Sequence, residues 1–289
     1  MLFALARLAP EFGFELEAAS VDHGLRAEAA RDVEIAARQA ASLGVAFHAL
    51  RVHVSPGASV QAQARAARYA ALLHLAADRG ASRLAVGHTR DDQAETVLLR
   101  LVRGTGLHGL GAIDPRRADG VIRPLIDCDR AEVQRLAAAE FSELADDSSN
   151  ADPRYERVRL RAHVMPLLAA ENPNLAEHLA ALADEAREYR VPLERAVGEL
   201  LALALAGPRS LRIAVLAGRP GLLRRAALRA WLERHGIARV SRAHVNELEH
   251  AVRSGRGHIW LSQGWSAVAT PDGILELQGS LPRGQSGEP

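Results

Sequence analysis

Gly87-His88-Thr89-Arg90-Asp91-Asp92-Gln93-Ala94-Glu95-Thr96 is the stretch on which the rest of the chain turns. Ahead of it, Arg83 to Gly87 reads as a short strand. Behind it, residues 90–103 read as a helix ending in the loop Gly104-Thr105-Gly106. The same unit recurs along the chain. Leu16 to Asp22 reads as a strand, and a helix follows over 27–43 with Val33, Ile35, Ala36, Ala40 and Leu43 as its apolar stripe. Val45 to Val54 is a second strand, followed by an Ala-rich helix over 58–79, and Val121 to Ile126 is a fourth, followed by a helix over 129–140. Strands alternating with helices of this length predict parallel βαβ units, hence an α/β class with a doubly wound parallel sheet. Ligands of such sheets bind outside the carboxyl ends of the strands, which is where His88 and its two neighbouring carboxylates fall.

From about residue 152 the pattern changes. Residues 161–190 read as helical with Pro166 and Pro173 as breaks, and 193–205 as another helix. After Gly207-Pro208 come an Arg-rich helix over 219–235 and a short helix between Ser241 and Gly255. Ile259 to Leu261, Ser266 to Ala269 and Ile274 to Leu277 read as a small β-meander with a Pro271-Asp272-Gly273 turn. The domains expected are 1–152, a helical linker over 153–206, a small α+β domain over 207–278 and a disordered tail over 279–289.

Composition narrows the function. The chain has 289 residues, 48% hydrophobic and 25% charged, which is globular. One cysteine, Cys128, excludes an internal disulfide and a Cys-rich zinc module. No run of about 18 apolar residues offers a membrane span, and the start lacks the marks of a signal peptide, so a cytoplasmic setting is expected. All 36 basic residues are arginine, which rules out a Schiff-base lysine and a Walker-type phosphate loop. Residues 205–289 hold 12 Arg against 6 acids, while residues 1–204 hold 24 Arg against 29 acids. A basic tail domain points to a polyanionic partner; Arg-rich solvated helix faces account for the same numbers.

Five local signals carry candidate chemistry. At residues 87–96, a histidine and two acids could hold Mg²⁺, position a nucleophile or move a proton; Thr89 with Asp92 equally fits a helix capping box. At Val21-Asp22-His23-Gly24-Leu25-Arg26, Gly24 permits a sharp turn against a ligand, or an ordinary βα loop. Arg65 and Arg68, followed by Tyr69, suit phosphate oxygens or a solvated face. Arg100, Arg103 and the loop from Gly104 to Gly111 expose backbone and read as mobile. Asp146-Asp147-Ser148-Ser149-Asn150, then Tyr155, Arg157, Arg159 and Arg161, could flank phosphates or lie on an exposed helix.

Taken together, their order and spacing from Val21 to Pro173 resemble the tRNA(Ile)-lysidine synthetase family of the PP-loop (N-type) ATP pyrophosphatases. The matching residues are Asp22-His23-Gly24-Leu25-Arg26, Arg65-Ala66-Ala67-Arg68-Tyr69, Gly87-His88 with Asp91 through Thr96, Leu99-Arg100, Arg103 through Gly106, Arg123-Pro124-Leu125, Asp147 with Ser149-Asn150, and Asn172-Pro173. They cover somewhat over half the chain. The resemblance implies an adenine nucleotide alpha hydrolase-like Rossmann fold and an ATP- and Mg²⁺-dependent ligase. Such an enzyme adenylates the C2 oxygen of the wobble cytidine of tRNA(Ile) and then joins free L-lysine to C2.

Carried over, His88, Asp91, Asp92 and Arg68 would be catalytic, with Asp91 and Asp92 holding Mg²⁺ or the lysine amine. His23, Gly24, Arg26 and Gly87 would bind ATP. Arg103, Gly104, Arg157, Arg159, Arg161, Arg224 and Arg225 would bind tRNA, the last two from the basic C-terminal domain. A second copy of the chain is a further expected partner. RNA affinity is expected to come from arginine and to fall steeply with salt, because aromatics are only 4% and stacking platforms few.

The sequence departs from the family at two places. The family opens with a strand and a Ser-Gly-Gly-x-Asp-Ser loop, whereas Met1 to Leu8 resembles the helix after that loop. The first strand is therefore expected upstream of Met1. A missing central strand would leave ladder groups unpaired at about 1–3 kcal/mol each. Val158 also stands where an Asn is usual. Alternatives are a degenerate non-catalytic nucleotide- or tRNA-binding protein, a thiolating PP-loop enzyme, which a lone cysteine opposes, and a metal hydrolase, which lacks further His ligands.

Overall fold

The structure is a computed structural model that describes residues 1–22, 24, 29–54, 60–144, 152–238 and 240–279. The chain forms two compact units, Met1–Arg187 and Glu188–Pro289. Residues 153–206 are shared between the two.

The first unit opens with α1 (Leu2–Phe12), which Gly13 ends in the left-handed conformation with its N–H on Ala9. β1 (Glu17–Asp22) follows, then α2 (Ala29–Ser42) and β2 (Ala46–Arg51). The two strands run parallel in register from Glu17 opposite Ala46 to Asp22 opposite Arg51. α3 (Val60–Asp78) leads to β3 (Leu84–Ala85), α4 (Arg90–Val102), α5 (Leu107–Leu110) and β4 (Val121–Ile122). β3 and β4 pair in parallel. These crossovers bear out the α/β reading. Among the described residues, however, the four strands form two separate parallel pairs rather than one sheet. The fourth strand is also shorter than expected, because Pro124 has no N–H to give a ladder and the chain turns at Leu125–Asp127.

α6 (Arg130–Glu140) starts at Asp129, whose side chain accepts from the N–H groups of Ala131 and Glu132. α7 (Glu156–Arg159) runs through a π-helical turn, Leu160–Val164, into α8 (Met165–Glu171). α9 (Leu175–Ala204) is one helix of 30 residues. The expected break before residue 193 does not occur. Pro192 removes one backbone hydrogen bond from α9, and the helix continues through it.

The second unit continues with β5 (Leu205–Gly207), β6 (Ser210–Arg212), α10 (Ile213–Ala217), α11 (Gly221–Arg234), α12 (Arg242–Ser254), β7 (Gly257–Trp260), β8 (Ser266–Ala269) and β9 (Ile274–Gln278). The expected meander is present and larger. β5 and β6 add two strands to an antiparallel sheet of order β5-β6-β9-β8-β7. Leu211, Ala267, Leu275 and Leu277 face inward against Leu200 and Leu201 of α9, Leu228 and Trp231 of α11 and Leu248 of α12. Among the described residues, no helix is long and apolar enough to cross a membrane.

Candidate active site

The carboxyl end of β3 delivers the site. From Ala85 the chain passes through Val86 and Gly87 to His88, then enters α4 at Arg90. Thr89 is the N-cap. Its N–H donates to Asp92 Oδ2 at 2.7 Å and its hydroxyl to the same oxygen at 3.0 Å. The capping-box reading of this segment is therefore correct, and it coexists with the chemical one, because the other Asp92 oxygen turns away from the cap. Oδ1 accepts from Arg130 Nη2 at 2.9 Å and from Arg157 Nη2 at 2.8 Å.

One helical turn on, Glu95 lies almost wholly buried, its side chain only 2% exposed. Burial would raise its pKa, but hydrogen bonds from Arg161 and Arg157 and the charge of Arg130 hold it down at about 2. Arg161 meets it with two bonds, Nε to Oε1 at 2.7 Å and Nη2 to Oε2 at 2.9 Å. Arg157 Nε donates to Oε2 at 2.8 Å, and Arg130 Nη1 to Oε1 at 2.9 Å. Two carboxylates thus fix three guanidinium groups in planar, charge-assisted contacts. The π-helical turn after α7 follows Arg157 and contains Arg161, and both side chains reach the same pair of carboxylates. Asp91 points elsewhere: its Oδ2 accepts the backbone N–H of Arg130 at 2.9 Å, which ties α4 to the start of α6.

His88 sits on the other side of the cap. Arg123, buried just past β4, donates from Nε to His88 Nδ1 at 3.3 Å and from Nη1 to the carbonyl of Asp114. An arginine cannot accept, so Nδ1 is unprotonated and the neutral ring carries its proton on Nε2. Burial lowers the His88 pKa to about 4; Asp92 opposes the shift and Arg123, Arg65 and Arg157 add to it. Arg65 of α3 is itself pushed below the usual guanidinium value by burial, with Arg68, Arg157 and Arg123 as like charges nearby. Arg65 and Arg117 lie 5.2 Å from the Tyr69 ring and Arg68 5.9 Å. Tyr69 is buried, and its hydroxyl has no hydrogen-bond partner among the described residues. On this side of the site Arg117 pairs with Asp119, whereas Arg65, Arg68 and Arg123 make no ion pair among the described residues.

The structure brings together His88, Asp92, Arg157 and Arg161, and it sorts the remaining sequence candidates. Gly24 takes φ +66° with its N–H on Asp22 Oδ1 at 2.7 Å, so it is the sharp turn expected at the end of β1. His23 and Arg26 lie outside the described residues, as does the 146–150 segment. Gly87 is exposed at the strand end, where an added Cβ would lie 3.9 Å from the Met1 sulfur. The α3 arginine coupled to His88 is Arg65, while Arg68 flanks Tyr69.

Arg157 and Arg161 are held by carboxylates instead of standing on an open face. Arg159 turns back to the carbonyls of Pro153 and Arg154. Arg103 is exposed beside Glu156, and Gly104 ends α4 at φ +74°. The loop read as mobile is anchored: Arg100 holds Gly109, Arg187 holds Gly111 and Ile113, and Gln93 exchanges two bonds with Ile113. In the second unit, Arg224 is buried, bonds the carbonyls of Ala217 and Arg219, and pairs with Glu249. Its contacts are those of a residue that builds the fold. Arg225 pairs with the same Glu249.

Sequence reasoning quoted Arg123 within the family match and Glu95 within residues 87–96 but gave neither a role, and it did not name Arg130. The signals were present in the Asp129-Arg130 helix start and in Arg123-Pro124, but both arginines reach the site over 35 residues of chain.

A family profile described as a PP-loop domain matches residues 1–168, and one described as the TilS substrate binding domain matches residues 211–269. The tRNA(Ile)-lysidine synthase of Bordetella bronchiseptica is 38% identical over 266 residues, covering 88% of this chain and 77% of that protein. The enzyme of the same name from Aromatoleum aromaticum is 37% identical over 278 residues, covering 93% of this chain and 63% of that protein. For Ralstonia nicotianae the values are 40% over 252 residues, 83% and 53%. The chain thus spans little more than half the length of several curated relatives. A solved U34-tRNA thiolase from Methanococcus maripaludis matches with a TM-score of 0.50 at 18% identity, over 65% of this chain and 68% of that one, a likeness of fold. The profile over residues 1–168 and the relatives that align through both units place this chain in the PP-loop family of tRNA(Ile)-lysidine synthases.

Proposed function

We propose that this chain carries the lysidine-forming activity of its family. ATP would adenylate the C2 oxygen of a wobble cytidine in tRNA(Ile) with release of pyrophosphate. The amine of free L-lysine would then attack C2, lose its proton, and expel AMP. The observation that carries this reading is the convergence of His88, Arg65 and Arg123 beside the Asp92–Glu95 cluster at the carboxyl end of β3.

Arginines that make no ion pair among the described residues suit a polyphosphate. Arg65, Arg68 and Arg123 would take phosphate oxygens, and the orphan hydroxyl of Tyr69 supplies a donor among them. The neutral His88 would donate from Nε2 to the oxygen on which charge develops as pyrophosphate or AMP leaves. Asp92 and Glu95 act through the arginines they hold. Both Asp92 oxygens already accept from protein donors, so Asp92 does not fit the magnesium ligand expected from the sequence. The second oxygen of Asp91 accepts no hydrogen bond among the described residues, and it fits either a magnesium ion carried on ATP phosphates or the lysine ammonium. Free amino acid, ATP and tRNA meet in the cytoplasm, where we place the protein.

The test is product analysis. Full-length chain is incubated with ATP, isotopically labelled lysine and a tRNA(Ile) transcript with cytidine at the wobble position. The expected result is AMP and labelled lysidine in equal amounts, with no ADP. ATP consumption without label in the tRNA, or ADP as product, contradicts the proposal.

A further inference from the structure

The second unit carries one feature that its fold does not require. Of the chain's three tryptophans, Trp231 and Trp265 are buried in the core, whereas Trp260 is 70% exposed. Trp260 lies on β7, the edge strand of the sheet, and shares a face with His258. Between them Ile259 points the other way and is buried, as strand alternation demands. The two outward rings form a tilted pair, with centroids 4.5 Å apart and planes at 33°. Their register partners across the ladder, Val268 and Ser266, are uncharged.

Two arginines lie close to the pair along the chain, and one acid, Glu276, shares its sheet face opposite Val268. Arg253 lies in the last turn of α12 and Arg256 stands immediately before β7; neither makes an ion pair among the described residues. Glu249, an acid of α12, is taken up by Arg224 and Arg225. Residues 205–289 carry twice as many arginines as acids. An exposed aromatic pair on a sheet edge, with two arginines close along the chain that make no ion pair among the described residues, suits a polyanion that also presents flat apolar faces. A nucleic acid strand with unpaired bases has both properties, and a folded duplex offers only the charge.

We propose that His258 and Trp260 form a stacking platform for an unpaired base of the RNA substrate, with Arg253 and Arg256 beside its backbone. This rests on the reading of the chain as a tRNA-modifying enzyme. It adds an aromatic contact where composition alone predicted binding by arginine.

The experiment measures binding of the full chain to three probes: the tRNA(Ile) transcript, a short unpaired oligoribonucleotide, and a blunt RNA duplex of the same length. Trp260→Ala is expected to weaken the tRNA and the unpaired strand about tenfold and to leave the duplex unchanged. Trp260→Phe should restore most of the loss, and His258→Ala should show a smaller one. Tryptophan emission reports the same event, because Trp260 is the exposed fluorophore. Quenching by the unpaired strand is expected in the wild type and absent in Trp260→Ala. If the wild type binds tRNA and Trp260→Ala binds it equally well, the platform is wrong and the proposed function stands. An equal loss on all three probes also overturns the platform. A wild type that binds no RNA overturns both.

Discussion

Glu95 in the first unit and Glu249 in the second meet similar partners with different consequences. Glu249 joins α12 to α11 through Arg224 and Arg225 at 2.7 and 3.0 Å, and Arg224 gives Nη1 to the carbonyls of Ala217 and Arg219, while its buried Nε has no partner among the described residues. That cluster closes on itself above a core that contains Trp231, Leu228 and Leu248. Glu95 is held by Arg130, Arg157 and Arg161, but it stands at the open end of a parallel strand pair. Beside it lies a neutral histidine near Arg65 and Arg123, which make no ion pair among the described residues. On the function proposed above, the difference lies in the charge left nearby: the Glu249 arginines share one acid and backbone carbonyls, whereas Arg65 and Arg123 beside the Glu95 cluster make no ion pair among the described residues.

The largest effect expected from this contrast follows from Glu95→Gln. Three guanidinium groups lose their fixing charge, so turnover should fall by about a hundredfold or more. Removing one partner of a buried ion pair should also cost about 3–5 kcal/mol in denaturant unfolding. Turnover measured per folded molecule separates the two effects. A Glu95→Gln protein with wild-type turnover would place Glu95 in the same structural class as Glu249.

Glu249→Gln is the counterpart. It should cost about 1–3 kcal/mol of stability, because Arg224 is left buried with a weaker partner. Turnover of the folded fraction should stay within about twofold, since the substitution is remote from the His88 site in sequence and in its hydrogen-bond network. A drop in turnover without loss of stability contradicts the assignment.

Acid titration sharpens the comparison further. The folded state holds His88 near 4 against a reference value of 6.5. As pH falls from 6.5 towards 4, the unfolded chain takes up a proton there and the folded chain does not, so stability declines over that window. Glu95, held at about 2 against a reference of 4.5, contributes stability that is present above 4.5 and lost as pH falls towards 2. Denaturant unfolding followed from pH 7 downward should therefore show a loss beginning near 6.5 in the wild type, reduced in His88→Gln. An identical pH profile for the variant contradicts the buried, neutral histidine.

Much of this was legible in the sequence. Alternation of strands and helices gave the βαβ units, and the carboxyl-edge rule pointed to His88 and Asp92. Gly24 was read as a sharp turn and takes one. What stayed hidden depends on long-range placement. Arg123 belonged to the family match without a role, and Arg130 comes from another element, so no local spacing announces its contacts with Asp92 and Glu95. Arg157 and Arg161 looked like an outward phosphate fork, yet buried Glu95 pulls them inward. Arg224 sat in a basic stretch and read as surface, but its helix face is packed against the core. The pattern gave separate helices over 161–190 and 193–205, whereas α9 runs unbroken through Pro192 with buried residues on both sides of it, from Ala183 to Leu201.

The central claim is that the cations around His88 form a polyphosphate site and the arginines around Glu249 do not. Calorimetric titration of ATP into the wild type, Arg65→Gln and Glu249→Gln tests it most directly. The account predicts about tenfold weaker ATP binding for Arg65→Gln, the loss of one charge-assisted contact, and wild-type affinity for Glu249→Gln. Equal affinities for the wild type and Arg65→Gln, or an equal loss in both variants, would contradict it.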